Sequence, residues 1–164
     1  MNRKINLNNF IKYYFTFVLI TVIITILIGY SIPTHLFIID HPQHGTNFMI
    51  QVLKHNTLNF LIYFFMPFIS PLMQFLDLFS SFIKIIISLR IAGVFKTANN
   101  LFPHALLEIP NFLLYQGLSE YILFSFIKNH SIFKTLSLIK KLTPVYLFSY
   151  VILIIAALLE GLKG

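Results

Sequence analysis

The chain has 164 residues, of which 57% are hydrophobic and only 10% are charged. A water-soluble domain carries charge on about a quarter of its residues, so this composition excludes a protein whose surface mostly contacts water. A membrane-crossing helix needs ~20 residues, and several crossings would leave no room for a separate catalytic domain. We therefore expect an all-α protein, a polytopic bundle of transmembrane helices.

Basic residues outnumber acidic ones by twelve to five, which gives a net charge of +7. In a soluble protein this excess would suggest a nucleic-acid partner, but here the basic residues lie in short connections between apolar runs. The positive-inside rule and contact with anionic lipid headgroups explain that distribution better, so we expect a lipid bilayer and no nucleic acid. The absence of cysteine excludes disulfides and cysteine-based metal sites.

Apolar segments of membrane-spanning length recur along the chain. The first follows basic residues as a signal peptide would, but it is too long for a typical signal sequence, so we interpret it as an uncleaved helix. The stretch 57–95 is divided at Pro67 and Pro71, because each proline removes a backbone donor and disfavours continued helix. The predicted helices are TM1 (residues 13–32), TM2 (57–71), TM3 (76–95), TM4 (103–127) and TM5 (144–159).

Charge counting orients these helices. Dividing the stretch 57–95 places the basic N-terminus and the four-lysine link 128–141 on one side, and the rule puts both in the cytoplasm. A single crossing there would export the lysines, and a re-entrant hairpin at the prolines would leave the other loops on the same sides. We predict five crossings, a cytoplasmic N-terminus and a bacterial cell membrane. Apolar residues at helical spacing in 132–139 predict an amphipathic surface helix within the link.

Ionisable side chains inside membrane helices cost ~2.5–3.5 kcal/mol each on insertion scales, so each needs a partner or a role. Lys84 lies eight residues beyond Leu76, and Glu120 lies eight residues before Lys128. At ~1.5 Å per residue both would sit ~12 Å from the cytoplasmic side, so we expect Lys84 and Glu120 to pair. The glycines lie mostly outside helix faces, which does not indicate close glycine-mediated packing.

A second group of charged residues falls at the outer ends of TM3, TM4 and TM5. His104 and Glu108 are four residues apart and hence on one helix face. This spacing suits a proton relay or half of a metal site, or a structural role in which His104 caps backbone groups and Glu108 pairs with Arg90 or Lys96. Both interpretations remain open, and we expect no cofactor. The predicted outer cluster comprises Arg90, Pro103, His104, Glu108 and Glu160.

The segment 101–110, Leu-Phe-Pro-His-Ala-Leu-Leu-Glu-Ile-Pro, resembles the signature of the stage II sporulation protein M family, which is roughly Pro-His-Gly-x-x-Glu followed by an apolar residue and Pro or a small residue. Residues 156–160, Ala-Ala-Leu-Leu-Glu, resemble the family's second recurring piece, Ala-Ala-x-x-Glu at a helix end. Ala105 stands where the family usually has glycine. The resemblance covers roughly the C-terminal half and points to Pro103, His104, Glu108 and Glu160.

Members of this family are helical membrane proteins. The name-giving member works with two other proteins in remodelling the septal wall during sporulation, as a scaffold and not as the hydrolase, and short relatives beside circular bacteriocins are implicated in maturation, secretion or immunity. The resemblance implies a non-enzymatic subunit that holds other membrane proteins or a hydrophobic peptide, with self-association left open. The alternatives are a transporter or channel component with Glu108, Glu120 and Lys84 along a polar path, and an intramembrane enzyme or metal site at His104 and Glu108.

Overall fold

The computed structural model describes residues 7–36, 45–102 and 104–161, without the side chains of Leu36, His104 and Glu160. This part of the chain is almost entirely helical and contains no strand. A 3-10 turn at Pro67–Ile69 connects the second and third α-helices. The α-helices in chain order are α1 Leu7–Ser31, α2 Thr46–Phe65, α3 Ser70–Ala92, α4 Val94–Leu101, α5 His104–Asn129 and α6 Ile132–Gly161.

Three segments are long and apolar enough to cross a membrane, namely Leu7–Ser31, Pro67–Ala92 and Ile132–Leu159. Large apolar side chains are exposed on them, such as Leu27 on α1 and Phe148 on α6. Contiguous apolar surface of this kind marks contact with lipid or with a partner and not with water. The fold is therefore that of an all-helical membrane protein. The helices α2 and α5 are also long, with 20 and 26 residues, but they carry more polar side chains.

The central proline-containing stretch differs from the predicted boundaries. Helix α2 already ends at Phe65, and Pro71 lies in the first turn of α3 and not at the end of TM2. The N–H of a residue in the first turn has no acceptor within the helix, so proline, which lacks this N–H, suits that position. At the other end α3 stops at Ala92 and not at residue 95, because Gly93 takes a φ of +81°, which favours glycine, and donates its N–H to the Leu89 carbonyl.

Helix α6 is continuous over 30 residues, so the predicted surface helix 132–139 and the predicted TM5 (144–159) form one element. Pro144 lies inside it without ending it. Apolar helices tolerate an internal proline where neighbouring groups satisfy the freed backbone. The reversal from α5 to α6 occurs at His130, which has a φ of +46°.

A buried aromatic core joins α2, α5 and α6. The ring of Phe60 packs edge-on against Tyr115 and Tyr146, with centroid separations of 5.4 and 5.8 Å, and Tyr63 lies 5.4 Å from Tyr115. Each such pair stabilises the fold by about 0.5–1.5 kcal/mol beyond its burial. This core holds the polar faces of α2 and α5 beside each other, and those faces carry the site described below.

Helix α1 packs against α3 through small side chains. Thr21, Thr25 and Gly29 recur every four residues on the buried face of α1. A Cβ atom on Gly29 would lie 2.9 Å from Cγ2 of Ile86, so only glycine allows this close approach. The interpretation that glycine does not mediate close packing is therefore wrong at Gly29. The sequence shows where a glycine lies on its own helix, but it does not show which neighbouring helix that position contacts.

The α1–α3 contact predicts an efficient disulfide in the double variant Gly29→Cys/Ile86→Cys. A Cβ on Gly29 lies 3.3 Å from the Ile86 Cβ, close to the ~3.5–4.5 Å of natural disulfides. The chain has no cysteine of its own, so mild oxidation followed by thiol counting with a maleimide–polymer reagent gives a clean readout. The control Leu27→Cys/Ile86→Cys should keep both thiols, because Leu27 is 65% exposed. Equal oxidation of the two pairs would contradict the helix contact.

Candidate functional site

Polar side chains of α2, α3 and α5 converge on a cavity of about 510 Å³, which is within the usual size of ligand pockets. On α3 the cavity-lining residues Asp77, Ser81 and Lys84 follow at spacings of four and three, which places them on one helix face. The polar residues of the cavity used below are His55, Asn56, Asn59, Asp77, Lys84, Glu108 and Asn111. We call this space the polar cavity.

The polar cavity extends from the middle of the bundle towards one end. Its residues come from the middle of α2 and of α3, from the N-terminal half of α5 and from the C-terminal half of α6, where it reaches Leu153 and Ala156. The lysine-rich reversal between α5 and α6 is at the opposite end. The cavity is therefore on the side of the bundle away from Lys134 and its neighbours.

Asp77 is the centre of a hydrogen-bond network that ties three helices together. The Asn59 amide and the Tyr63 hydroxyl donate to Asp77 Oδ2 at 3.2 and 2.8 Å. The Gln116 amide donates to the Tyr63 hydroxyl at 2.9 Å, and the Ser119 hydroxyl donates to the Tyr63 carbonyl at 2.6 Å. Tyr63 is fully buried, so the network fixes the orientation of Asp77 at the cavity wall.

Glu108 occupies the facing wall on α5. The Asn56 amide on α2 donates to Glu108 Oε1 at 2.8 Å. One turn further, the Asn111 amide donates to the Ser149 carbonyl at 2.9 Å and accepts from the Ser149 hydroxyl at 2.6 Å, which links α5 to α6. Each carboxylate of the cavity is thus oriented by amide or hydroxyl donors of α2, an arrangement that preorganises it towards a ligand.

The cavity combines two carboxylates with Lys84 and His55. Such a lining offers both acceptors and donors, and it suits a polar or charged part of a peptide or solute. Within the described ranges no three His, Cys, Asp or Glu side chains converge as a metal-ligand set. The prediction that His104 and Glu108 form half of a metal site stays a prediction, because the His104 side chain lies outside the described part of the chain.

Arg90 does not point to Glu108. Its Nη1 donates to the carbonyls of Gly29 and Ile32 at 2.6 and 2.5 Å, and its guanidinium lies 5.6 Å from the centre of the Tyr30 ring. The last carbonyls of a helix have no intrahelical donor and form its negative end, so Arg90 stabilises the C-terminus of α1. The predicted contact of Arg90 with the outer cluster is replaced by this cap.

Of the remaining outer-cluster residues, Glu108 lies in the polar cavity. Pro103 lies outside the described residues, as do the side chains of His104 and Glu160. The helix positions of His104 and Glu160, at the start of α5 and the end of α6, still place them at the cavity end of the bundle.

The predicted ion pair between Lys84 and Glu120 does not form. Lys84 lines the cavity, whereas Glu120 is 4% exposed and neither of its carboxylate oxygens has a hydrogen-bond partner in the described part of the chain. The ring centroids of Phe68 and Phe126 are 5.2 Å apart, so residue 68 is level with residue 126 where α3 and the turn before it run antiparallel to α5. In that register Lys84 is about ten residues, or ~15 Å, from the level of Glu120. The depth estimate failed because the helical descent begins at Pro67 and not at Leu76.

Sequence reasoning missed Asp77 and the asparagines that accompany the carboxylates, Asn56 and Asn59. The available signal was plain for Asp77, since it is the only acidic residue in the apolar stretch 57–95, and an intramembrane acid is a functional-site hypothesis by default. The asparagines had no comparable signal, because their role depends on the parallel alignment of α2 with α5.

No protein-family model, curated protein or solved structure matches this chain. The fold and the polar cavity by themselves define the class, a helical membrane protein with a carboxylate-lined cavity inside its bundle.

Proposed function

We propose that this protein is a non-enzymatic membrane subunit that holds a partner protein or a hydrophobic peptide, with the polar cavity as the point of attachment. The observation that carries the proposal is the cavity itself, in which Asp77 and Glu108 are oriented by amide donors inside the bundle. A polar part of a partner would gain charge-assisted hydrogen bonds there, while the exposed apolar faces of the helices would contact lipid or the rest of the partner.

The packing supports five crossings. Helix α2 runs alongside α5, since Asn56 contacts Glu108 and Tyr63 contacts Ser119. It also lies antiparallel to α6, because the Phe64 ring is 5.0 Å from the Tyr146 ring, while the earlier residue Thr57 contacts the later residue Tyr150. The helices α2 and α5 therefore extend over the same length of the bundle axis as the apolar helices α3 and α6. If α3 and α6 cross the bilayer, α2 and α5 cross it too, and the polar residues that line the cavity face the inside of the bundle.

The charge distribution supports an orientation. With the lysine-rich reversal at Lys128–Lys141 in the cytoplasm, the polar cavity opens in the outer half of a bacterial cytoplasmic membrane. The resemblance to the stage II sporulation protein M family adds the setting, either wall remodelling during sporulation or the maturation, secretion or immunity of a bacteriocin. The segment of this chain that resembles the family signature contains Glu108, which lies on the cavity wall, where a partner would contact it.

The test of this proposal is affinity purification of the full chain from native membranes in detergent. The wild type should retain a stoichiometric membrane protein or peptide. Ala105→Leu, which fills the cavity, should retain about ten-fold less, as expected for an overpacking cost of ~1–3 kcal/mol. The matched control Ala98→Leu lies on exposed α4 outside the cavity and should behave as wild type. Equal retention by both variants, or a wild type without a stoichiometric partner, would contradict the proposal.

A second candidate function is a small transporter or channel component, and Glu120 favours it. This carboxylate is buried further along α5 than Glu108, and the side-chain oxygen of the fully buried Gln116, one turn away, also has no hydrogen-bond partner among the described residues. Burying a carboxylate without a donor is costly, so a cation or proton moving inward from the cavity would be stabilised there. A Glu108→Gln protein that keeps its partner and its activity would contradict both transport and catalysis by that residue.

A further inference from the structure

A second cleft lies at the end of the bundle opposite the polar cavity, between the last two turns of α5 and the first turns of α6. Its volume is about 290 Å³. Tyr121, Ser125 and Asn129 line it from α5, at spacings of four residues that stack them on one face. Lys134, Ser137 and Lys141 line it from α6, also at spacings that keep them on one face.

The chemistry of this cleft is that of an anion site. Its lining offers two ammonium groups, three hydroxyls and one amide, and none of its described lining residues is acidic. The ammonium groups and the hydroxyls can donate hydrogen bonds to phosphate oxygens. The Asn129 amide donates instead to Ser125, to its carbonyl at 3.0 Å and to its hydroxyl at 3.3 Å, and so orients Ser125 in the lining.

The cleft also has an apolar border. Leu138 lines it, and Phe133, which directly precedes the lining residue Lys134, is 85% exposed. An anion site bordered by exposed apolar side chains matches a ligand that has a charged head and hydrocarbon chains. Basic pockets between membrane helices on the cytoplasmic side bind anionic lipid headgroups in this way.

We propose that the cleft between α5 and α6 binds the phosphate headgroup of an anionic phospholipid, with Lys134 and Lys141 as the charged contacts and Ser125 and Ser137 as hydroxyl donors. The acyl chains lie along Phe133. A soluble phosphate compound shares the headgroup chemistry, but it would gain nothing from the apolar border.

The experiment is a titration of the delipidated full chain with phosphatidylglycerol, followed by native mass spectrometry. Phosphatidylcholine of the same chain length is the neutral comparison, and inorganic phosphate in large excess is the competitor. The variant Lys134→Met/Lys141→Met should bind phosphatidylglycerol ~30-fold more weakly, since each lysine near the membrane surface contributes about 1 kcal/mol. The control Lys54→Met/Lys96→Met has the same net charge but changes exposed lysines outside the cleft, and it should bind like the wild type.

Three outcomes would overturn the proposal: equal weakening in the two double variants, equal affinity for the two lipids, or displacement of the lipid by inorganic phosphate. The last would assign the cleft to a soluble phosphate ligand. Should the lysine variant fail to fold, Ser137→Leu fills the cleft without altering charge. It should also weaken phosphatidylglycerol binding, and unchanged binding in that variant would equally overturn the proposal.

Discussion

A cysteine introduced at Ala98 should react with a membrane-impermeant maleimide from the same side of the membrane as a cysteine at Asn47, and a cysteine at Phe68 should react from the opposite side. These three positions are exposed in the structure, and the chain has no other cysteine. The pattern follows from five crossings, because α2 separates Asn47 from Phe68 and α3 then returns the chain to Ala98. Labelling of intact cells before and after permeabilisation measures it.

The same three positions separate the competing topologies without any assumption about orientation. If only the three most apolar segments crossed, Asn47 and Phe68 would share a side and Ala98 would be opposite. A re-entrant hairpin would leave Phe68 unreactive from both sides while Asn47 and Ala98 still agree. Either result would contradict five full crossings.

Replacing Asp77 with alanine should destabilise the fold by about 2 kcal/mol, as measured by unfolding in a detergent–denaturant titration. The substitution removes the acceptor of two hydrogen bonds and leaves the donor of Tyr63, which is fully buried, without a partner. Hydrogen bonds to charged groups contribute ~1.5–3 kcal/mol, although pairs within membrane bundles average ~0.6 kcal/mol. Because Asp77 accepts two bonds, these figures correspond to totals of about 3 kcal/mol or more and about 1.2 kcal/mol, and our value lies between them.

Two further variants make this prediction specific. Ser80→Ala on the same cavity wall should cost at most a few tenths of a kcal/mol, since its hydroxyl is exposed and bonds only to the local Asp77 carbonyl. In the double variant Tyr63→Phe/Asp77→Ala the cost should be less than the sum of the single costs, because the two residues share one bond. Additive costs would show that the Tyr63–Asp77 bond contributes nothing to stability.

The helical character and the membrane class could be predicted from the sequence because both depend on local properties. Apolar residues along a segment determine its transfer free energy wherever its neighbours lie. Helix ends were harder to place. Pro71 and Pro144 were interpreted as breaks or starts, but one is accommodated in a first turn and the other inside α6. A proline shows that one backbone N–H donor is missing, but the hydrogen bonds of the neighbouring residues decide whether the helix ends there.

The site was predictable only in part. Glu108 was identified because an acid in an apolar helix needs a role, and the same reasoning applied to Asp77 would have found the second carboxylate. Arg90 was assigned to the wrong neighbour, since its charge could be satisfied equally by a carboxylate or by the carbonyls at the end of α1. Residue spacing gives the face of a helix, but it does not say which helix that face meets.

Composition and charge alone determined that this chain is an all-helical membrane protein with four of its ten lysines in one link, because solvation energies add residue by residue. Tertiary structure alone decided that α2 lies beside α5, that Asp77 and Glu108 share a cavity, and that Lys84 and Glu120 are at different levels. These outcomes depend on the rotation and register of packed helices. A shift of a few residues along a helix moves a side chain by several ångströms and changes its neighbours, while the hydropathy of the segment stays the same.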